Sequence, residues 1–254
     1  MRKMKKTTVI ILALFVSFAC VVNAQKVRVA AAANLRYVLE DIKKQYEKEH
    51  PKTKVDITFG ASGTLTQQIL NGAAFDFFMA ADMDFPNALK AKGATVGPVV
   101  TYIYGKVAMW SKEVNLSKGL NSVLLPEVKK VAIANPATAP YGENAVNTLK
   151  KHGLYDKIAG KIVVGENISQ AAQFAFTGNA EIGFIALSLA LAPDMKGKGF
   201  CYELPSDVCP PIAQGCVLVK GWERNGEASR FMKYVLSPKC DAIWKSYGYG
   251  LVKR

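Results

Sequence analysis

Histidine is nearly absent from this chain, with His50 and His152 the only two in 254 residues. A zinc site takes closely spaced Cys and His ligands, and a serine or cysteine hydrolase takes a histidine base. Both histidines stand at lysine-rich helix ends, so neither chemistry finds its parts. No G-x-x-x-x-G-K-S/T loop, G-x-G-x-x-G fingerprint, H-E-x-x-H pair or G-x-S-x-G elbow occurs, although Gly60-Ala-Ser-Gly63 has a superficial likeness to the last. Beyond residue 24 no run of about 18 apolar residues appears, so no membrane span is expected. Short repeats, low-complexity tracts and long linkers are missing too. With 50% hydrophobic and 21% charged residues, 20 Gly and 11 Pro, the composition excludes collagen-like and wholly disordered chains. The length suffices for one large domain or two small ones.

What is present begins with a leader. Arg2, Lys3, Lys5 and Lys6 precede an apolar stretch from Val9 to Ala19, and Val22-Asn23-Ala24 supplies small residues for cleavage. This is the pattern of a secretory signal peptide over residues 1–24, too short for a comfortable span, and it predicts a periplasmic protein cleaved near Ala24. A lipid anchor at Cys20 is the lesser expectation, because Ser17 stands where such signals usually take an aliphatic residue. Cleavage removes four cations, and the formal charge falls from +13 to +9. The remaining lysines (among them Lys43, Lys44, Lys48, Lys129, Lys130, Lys150 and Lys151) are dispersed as on solvated helix faces and are not interleaved with aromatics. Together with export, that argues against a nucleic-acid partner. The surplus should attract anions by modest long-range steering. Cleavage also leaves four cysteines, Cys201, Cys209, Cys216 and Cys240, which admit two disulfides in three connectivities or free buried thiols.

The rest of the chain alternates strand, small-residue turn and helix. Lys26 to Ala32 reads as a buried strand, followed by a helix with Leu35, Val38, Leu39, Ile42 and Tyr46 on one face and His50-Pro51 at its end. Val55, Ile57 and Phe59 alternate with Asp56 and Thr58, a half-buried strand, and a helix carrying Leu65, Ile69 and Leu70 follows, closed by Asn71-Gly72. Asp76 and Asp82 bracket a further apolar run and are read as capping or salt-bridging carboxylates. Strands are expected at 107–110, 131–134, 162–164 and 181–186, with helices at about 143–151 and 169–177. Such alternation predicts α/β architecture with mainly parallel sheets.

The turns carry the chemistry. Four times a strand-like run gives way to a small or polar turn that opens a helix: Ala33-Asn34, Ala61-Ser62-Gly63, Pro140-Tyr141-Gly142 and Glu166-Asn167-Ile168. A helix N-terminus presents unpaired N–H groups and the positive end of its dipole, and ligands of open α/β sheets gather at the carboxyl ends of strands. One such turn is commonly just a capped helix. Four of them suggest an anion site.

The ordered blocks V-R-V-A-A-A-A-N-L (27–35), I-T-F-G-A-S-G-T-L-T-Q-Q-I (57–69), G-A-A-F-D-F-F-M-A-A-D (72–82), N-P-A-T-A-P-Y-G (135–142) and A-E-I-G-F-I-A-L-S (180–188) resemble the molybdate-binding periplasmic proteins (ModA-like) of ABC importers. The resemblance runs from Lys26 to about Tyr249. It implies a type II periplasmic-binding-protein fold: lobe I from 25–103 plus 211–254, lobe II from 104–210, and hinge crossings near Tyr102 to Gly105 and Pro210 to Gln214. It also implies that molybdate, or tungstate, sits in the cleft between lobes, held by neutral donors alone. The matching positions are Ala33, Asn34, Ser62, Tyr141 through its backbone, and Ile168 through its backbone. Molybdenum would enter only as the oxyanion, with no resident cofactor, no catalysis, a membrane permease as partner and a monomeric state. Two departures stand out. Some relatives carry Ser at the place of Asn34, and some place a ligand-contacting Tyr where this chain has Ala186.

Oriented dipoles can stabilise a dianion without a counter-charge, because hydrogen bonds to an ionised acceptor are stronger than neutral ones. Molybdate and sulfate share charge and shape, so a sulfate receptor on the same fold differs chiefly in cavity size. An exported enzyme with a Ser62 or cysteine nucleophile would depend on His50 or His152. A structural surface module would need no cleft, against the evidence of the four turns.

Overall fold

In the computed structural model, which describes residues 25–221 and 225–253, the apolar runs become the middle strands of two separate sheets. The expected leader, with Cys20 and the expected cleavage position near Ala24, falls outside the described residues. The first half runs β1 (Gln25–Ala32), α1 (Arg36–Glu49), β2 (Thr53–Gly60), α2 (Ser62–Leu70), β3 (Phe77–Met79), α3 (Asp84–Ala91) and β4 (Thr95–Gly105). Then come β5 (Val107–Ser111), β6 (Val131–Ala134), α4 (Pro140–Lys151), α5 (Tyr155–Ile158), β7 (Ile162–Gly165) and α6 (Ile168–Phe176). The last part holds β8 (Ile182–Ala186), α7 (Leu187–Ala190), β9 (Phe200–Glu203), β10 (Ile212–Val219), α8 (Gly226–Val235), α9 (Asp241–Ser246) and β11 (Gly250–Leu251).

One sheet has six strands in the order β11-β4-β10-β3-β1-β2, the other five in the order β7-β6-β8-β5-β9. Each is built on a parallel trio, β2-β1-β3 and β7-β6-β8. The expectation of mainly parallel sheets holds only for these trios, since β4, β10, β11, β5 and β9 pair antiparallel. The reason is the chain path. β4 leaves the first sheet at Gly105, β5 opens the second at Val107, and β10 returns beside β4 with Ile212 opposite Gly105. A strand that comes back next to the one that left must run the other way.

The helix patterns hold with one correction, the start of α4. Val38, Leu39, Ile42 and Tyr46 on α1 are all buried, as is Leu35 in the short turn just before it, and Tyr46 meets Phe231 and Tyr234 edge-on at 4.9 and 5.0 Å. His50 ends α1, its N–H bonded to Tyr46 O at 2.8 Å. On α2 the buried face is Leu65 and Ile69 with Ser62, Gly63 and Thr66, whereas Leu70 is exposed. Helix α4 starts three residues earlier than expected, because Pro140 suits a first helical position that has no N–H to bond. The carboxylates around β3 are structural, as read from the sequence. Asp76 takes the Arg28 guanidinium (2.9 and 3.2 Å) and backbone N–H (2.7 Å), and Asp82 accepts from Phe85 N–H at 3.1 Å at the start of α3.

Of the two readings for the cysteines the structure takes unbridged thiols: Cys201 is exposed, and Cys209, Cys216 and Cys240 are buried. Partial desolvation pushes the Cys201 thiol up to about 11, and full burial pushes Cys216 further. Among the described residues no helix is long and apolar enough to cross a membrane.

Candidate functional site

The carboxyl ends of β1, β2, β6 and β7 point to one place, because each belongs to the parallel trio of its sheet and each feeds a helix. All five residues singled out in the sequence line one small cavity there: Ala33 and Asn34 after β1, Ser62 at the start of α2, Tyr141 in the first turn of α4, and Ile168 at the start of α6. Each is at most 4% exposed. Backbone and side chain also tie the two halves together across it. Gly63 N–H donates to Thr138 O at 2.9 Å, and Ser169 Oγ donates to Ala33 O at 3.1 Å. Gly63 permits this approach, since a Cβ there would stand 3.0 Å from Thr138 Cα and from the Phe85 ring.

The helix starts differ in how they are capped. Asn167 caps α6 by accepting from Ser169 N–H and Gln170 N–H at 3.0 and 3.2 Å. Helices α2 and α4 instead have Ala61 and Ala139 at the cap position, with no side-chain hydrogen bond. Alanine is a poor cap. The N–H groups of Ser62, Tyr141 and Ile168 find no acceptor among the described residues, which leaves three donors of the first helical turns for an acceptor from outside. Ser62 Oγ accepts from Ala81 N–H at 2.9 Å, so its own proton is free to be given elsewhere.

Among the described residues no charged side chain lines the cavity, whose other walls are Ala32, Gly60, Ala61, Ala81, Ala139 and Pro140. The nearest carboxylate in sequence is Asp82, pushed up to about 6 by its burial, with the Asp84 and Glu143 charges adding to the effect. The donor set suits oxygen acceptors, not a bare cation. Among the described residues no group of three or more His, Cys, Asp or Glu is placed for a metal ion. A larger cavity of about 690 Å³ shares the first turn of α6 (Asn167, Ser169, Gln170), but it carries Arg36 and Lys198 beside Asp194, and Tyr37 hydroxyl holds Asp194 at 2.6 Å. Its mixed charge and size do not match a small tetrahedral ion.

Behind Asn34 lies a polar cluster that sequence reasoning missed. Asn34 Nδ2 donates to Gln214 Oε1 at 3.1 Å and to Tyr249 hydroxyl at 2.9 Å. Gln214 Nε2 donates to Tyr141 hydroxyl at 3.0 Å, and Tyr102 hydroxyl lies 3.0 Å from Gln214 Oε1 and 2.8 Å from Ala80 O. Ser188 Oγ and Tyr249 hydroxyl donate to Asn34 O at 2.8 and 2.9 Å. Burial holds the Tyr102, Tyr141 and Tyr249 hydroxyls well above their ordinary range, so they stay protonated. Ala186 is fully buried and does not line the cavity.

Residues 27–250 match the family described as bacterial extracellular solute-binding protein. The chain is 40% identical over 235 residues to the molybdate-binding protein ModA of Azotobacter vinelandii, covering 92% of this chain and 93% of that one. It is 35% identical over 239 residues to ModA of Rhodobacter capsulatus, covering 94% and 93%. Among solved structures, the Azotobacter vinelandii periplasmic molybdate-binding protein matches with a TM-score of 0.84 at 31% identity, over 89% of this chain and 100% of that one.

Proposed function

The chain belongs to the bacterial extracellular solute-binding proteins, in the ModA molybdate-binding family, and from that premise we propose that it captures molybdate, and tungstate, outside the cytoplasmic membrane. It then hands the ion to the permease of an ABC importer and catalyses nothing. Ala33, Asn34, Ser62, Tyr141 and Ile168 form the site. Ser62 gives its hydroxyl and N–H, Tyr141 and Ile168 give their backbone N–H groups, and Asn34 gives its carboxamide. Residues 25–103 with 211–254 form one lobe and 104–210 the other, hinged about the β4–β10 pair, so that donors from both halves close on the ion together. Tyr249 and Ser188 brace Asn34 from behind. The mature chain, starting near Gln25, acts in the periplasm as a monomer.

The observation that carries this reading is the convergence of five residues from four separate turns on one uncharged cavity, with three helix-start amides lacking an acceptor. In a dry site such charge-assisted bonds are strong enough to replace a counter-ion. Calorimetric titration of the mature chain with molybdate, tungstate, sulfate and phosphate in turn is the test. Tight binding of molybdate and tungstate, with sulfate and phosphate far weaker, is expected. Sulfate binding as tightly or more tightly would make it a receptor for the smaller ion, and binding of none of the four would end the reading.

A further inference from the structure

Charge and shape do not tell molybdate from sulfate, so discrimination falls to the spacing of the donors. Ser62 presents its N–H from the start of α2, beside the six-stranded sheet, and Tyr141 presents its own from the start of α4, beside the five-stranded one. Next to these two starts the halves touch backbone to backbone. Gly63 N–H, the donor that follows Ser62, is spent on Thr138 O at 2.9 Å, three residues before Tyr141. A Cβ on Gly63 would stand 3.0 Å from Thr138 Cα, so the gap holds a hydrogen but not a methyl group.

Neither side of this contact yields easily. Asn135 holds the Thr138 loop: its carbonyl accepts from Thr138 N–H and Ala139 N–H at 3.2 and 2.8 Å, and its Oδ1 accepts from Ala137 N–H at 3.0 Å. Asn135 N–H is bonded in turn to Gly165 O at 2.8 Å. Gly142, with no room for a Cβ against Ala134 O, seats the first turn of α4 directly on β6. On the facing side Ala81 N–H pins Ser62 Oγ at 2.9 Å, and Thr66 hydroxyl pins Ser62 O at 2.8 Å. The bond from Ser169 Oγ to Ala33 O at 3.1 Å also joins the halves, but a rotatable side chain makes it and can follow a small shift. A backbone pair cannot.

We propose that Gly63 is a specificity-determining residue: its contact with Thr138 is the stop that ends lobe closure, and so sets the size of tetrahedral ion that the Ser62, Tyr141 and Ile168 donors reach together. Neither Gly63 nor Thr138 lines the cavity, so the contact acts on the ion through spacing alone. Mo–O bonds are longer than S–O bonds, and a cleft halted at the larger size leaves sulfate beyond good hydrogen-bond range of one half. With a methyl group at 63 the Phe85 ring can swing aside, but Thr138 Cα moves only with its lobe, and closure would halt a few tenths of an ångström early.

The inference rests on the oxyanion reading, and the experiment keeps the two apart. Calorimetry on the mature chain, with molybdate and selenate (a smaller tetrahedral dianion) in competition, reads both affinity and preference. Gly63→Ala should weaken molybdate about tenfold or more, the scale of an overpacked contact. Adding Phe85→Leu, which removes both ring atoms near that methyl group, should not restore it. Asn135→Ala, which frees the Thr138 loop, should lower the preference for molybdate over selenate about tenfold, because a soft stop lets the cleft close further on the smaller ion. Wild-type molybdate affinity in Gly63→Ala, recovery through Phe85→Leu, or an unchanged preference in Asn135→Ala overturns the stop while molybdate binding by the wild type stands. If Gly63→Ala does not fold, the preference in Asn135→Ala decides alone. Absence of molybdate binding by the wild type overturns the oxyanion reading and the inference with it.

Discussion

Replacing Ser62 by alanine removes one oxygen and tests the site through two separable quantities. The hydroxyl accepts from Ala81 N–H at 2.9 Å inside the protein, and its own proton is free for a ligand. Loss of a hydrogen bond to a charged acceptor costs about 1.5–3 kcal/mol, which is roughly a 10- to 150-fold rise in Kd for molybdate. The Ser62 N–H remains, so binding should weaken and not disappear. Stability falls independently. Ala81 N–H is left buried without an acceptor, at about 1–3 kcal/mol, and each kcal/mol lowers Tm by about 2–4 °C for a chain of this size. Thermal unfolding with and without molybdate separates the terms. At a ligand concentration 100 times the wild-type Kd the wild type gains about 2.7 kcal/mol, whereas a variant weakened 100-fold gains only about 0.4 kcal/mol. A Ser62→Ala chain with a lowered Tm but the full ligand-induced rise would show that the hydroxyl braces β3 and does not touch the anion. That result refutes the reasoning.

Asp82 gives a pH signature. Its folded value of about 6 lies above the ordinary 3.8, chiefly through burial, so the native state holds the proton more tightly than the unfolded chain. Stability from this group is therefore fullest below about pH 4 and declines as pH rises through 6. Asp82→Asn keeps an acceptor for Phe85 N–H and should stabilise by about 1–2 kcal/mol at pH 7, after allowance for its partial exposure. Urea unfolding should show that gain vanish toward pH 4, and an equal effect at both pH values would contradict the assignment. Lys129 and Lys130 are exposed and reach Glu181 only through their backbone N–H groups. Their replacement by Gln should leave molybdate affinity within about twofold in calorimetry, and a tenfold loss would bring back a cationic clamp. In denaturant without reductant the mature chain should titrate four thiols; natively Cys201 alone should react, and slowly at neutral pH, given its raised pKa. Fewer than four in denaturant would mean that a bridge exists after all.

Local patterns made much of this protein legible before any coordinates. The buried stripe of α1 (Val38, Leu39, Ile42, Tyr46), with Leu35 just before it, follows from helical spacing, and the half-buried β2 from alternation along one strand. The five cavity residues were also readable, because a small-residue turn between strand and helix leaves a local trace, and because the ordered blocks resemble a known family. The exposure of Leu70 was not readable, for a related reason. Apolar spacing alone does not say how wide the buried face of α2 is, and Ser62, Gly63 and Thr66 share that face with Leu65 and Ile69.

By itself, then, the sequence determined the α/β alternation, the helix-start turns and the uncharged residues that line the cavity, since each depends on neighbours within a few residues. The tertiary structure alone decided that β10 lies between β4 and β3, and so that Gln214, Tyr102, Tyr249 and Ser188 gather behind Asn34. Asn34 and Gln214 are 180 residues apart, and Asn34 and Tyr249 are 215 apart. No periodicity spans such distances. Which buried polar group meets which is set by strand order and register across the sheet, and those are chosen by the packing of the whole chain.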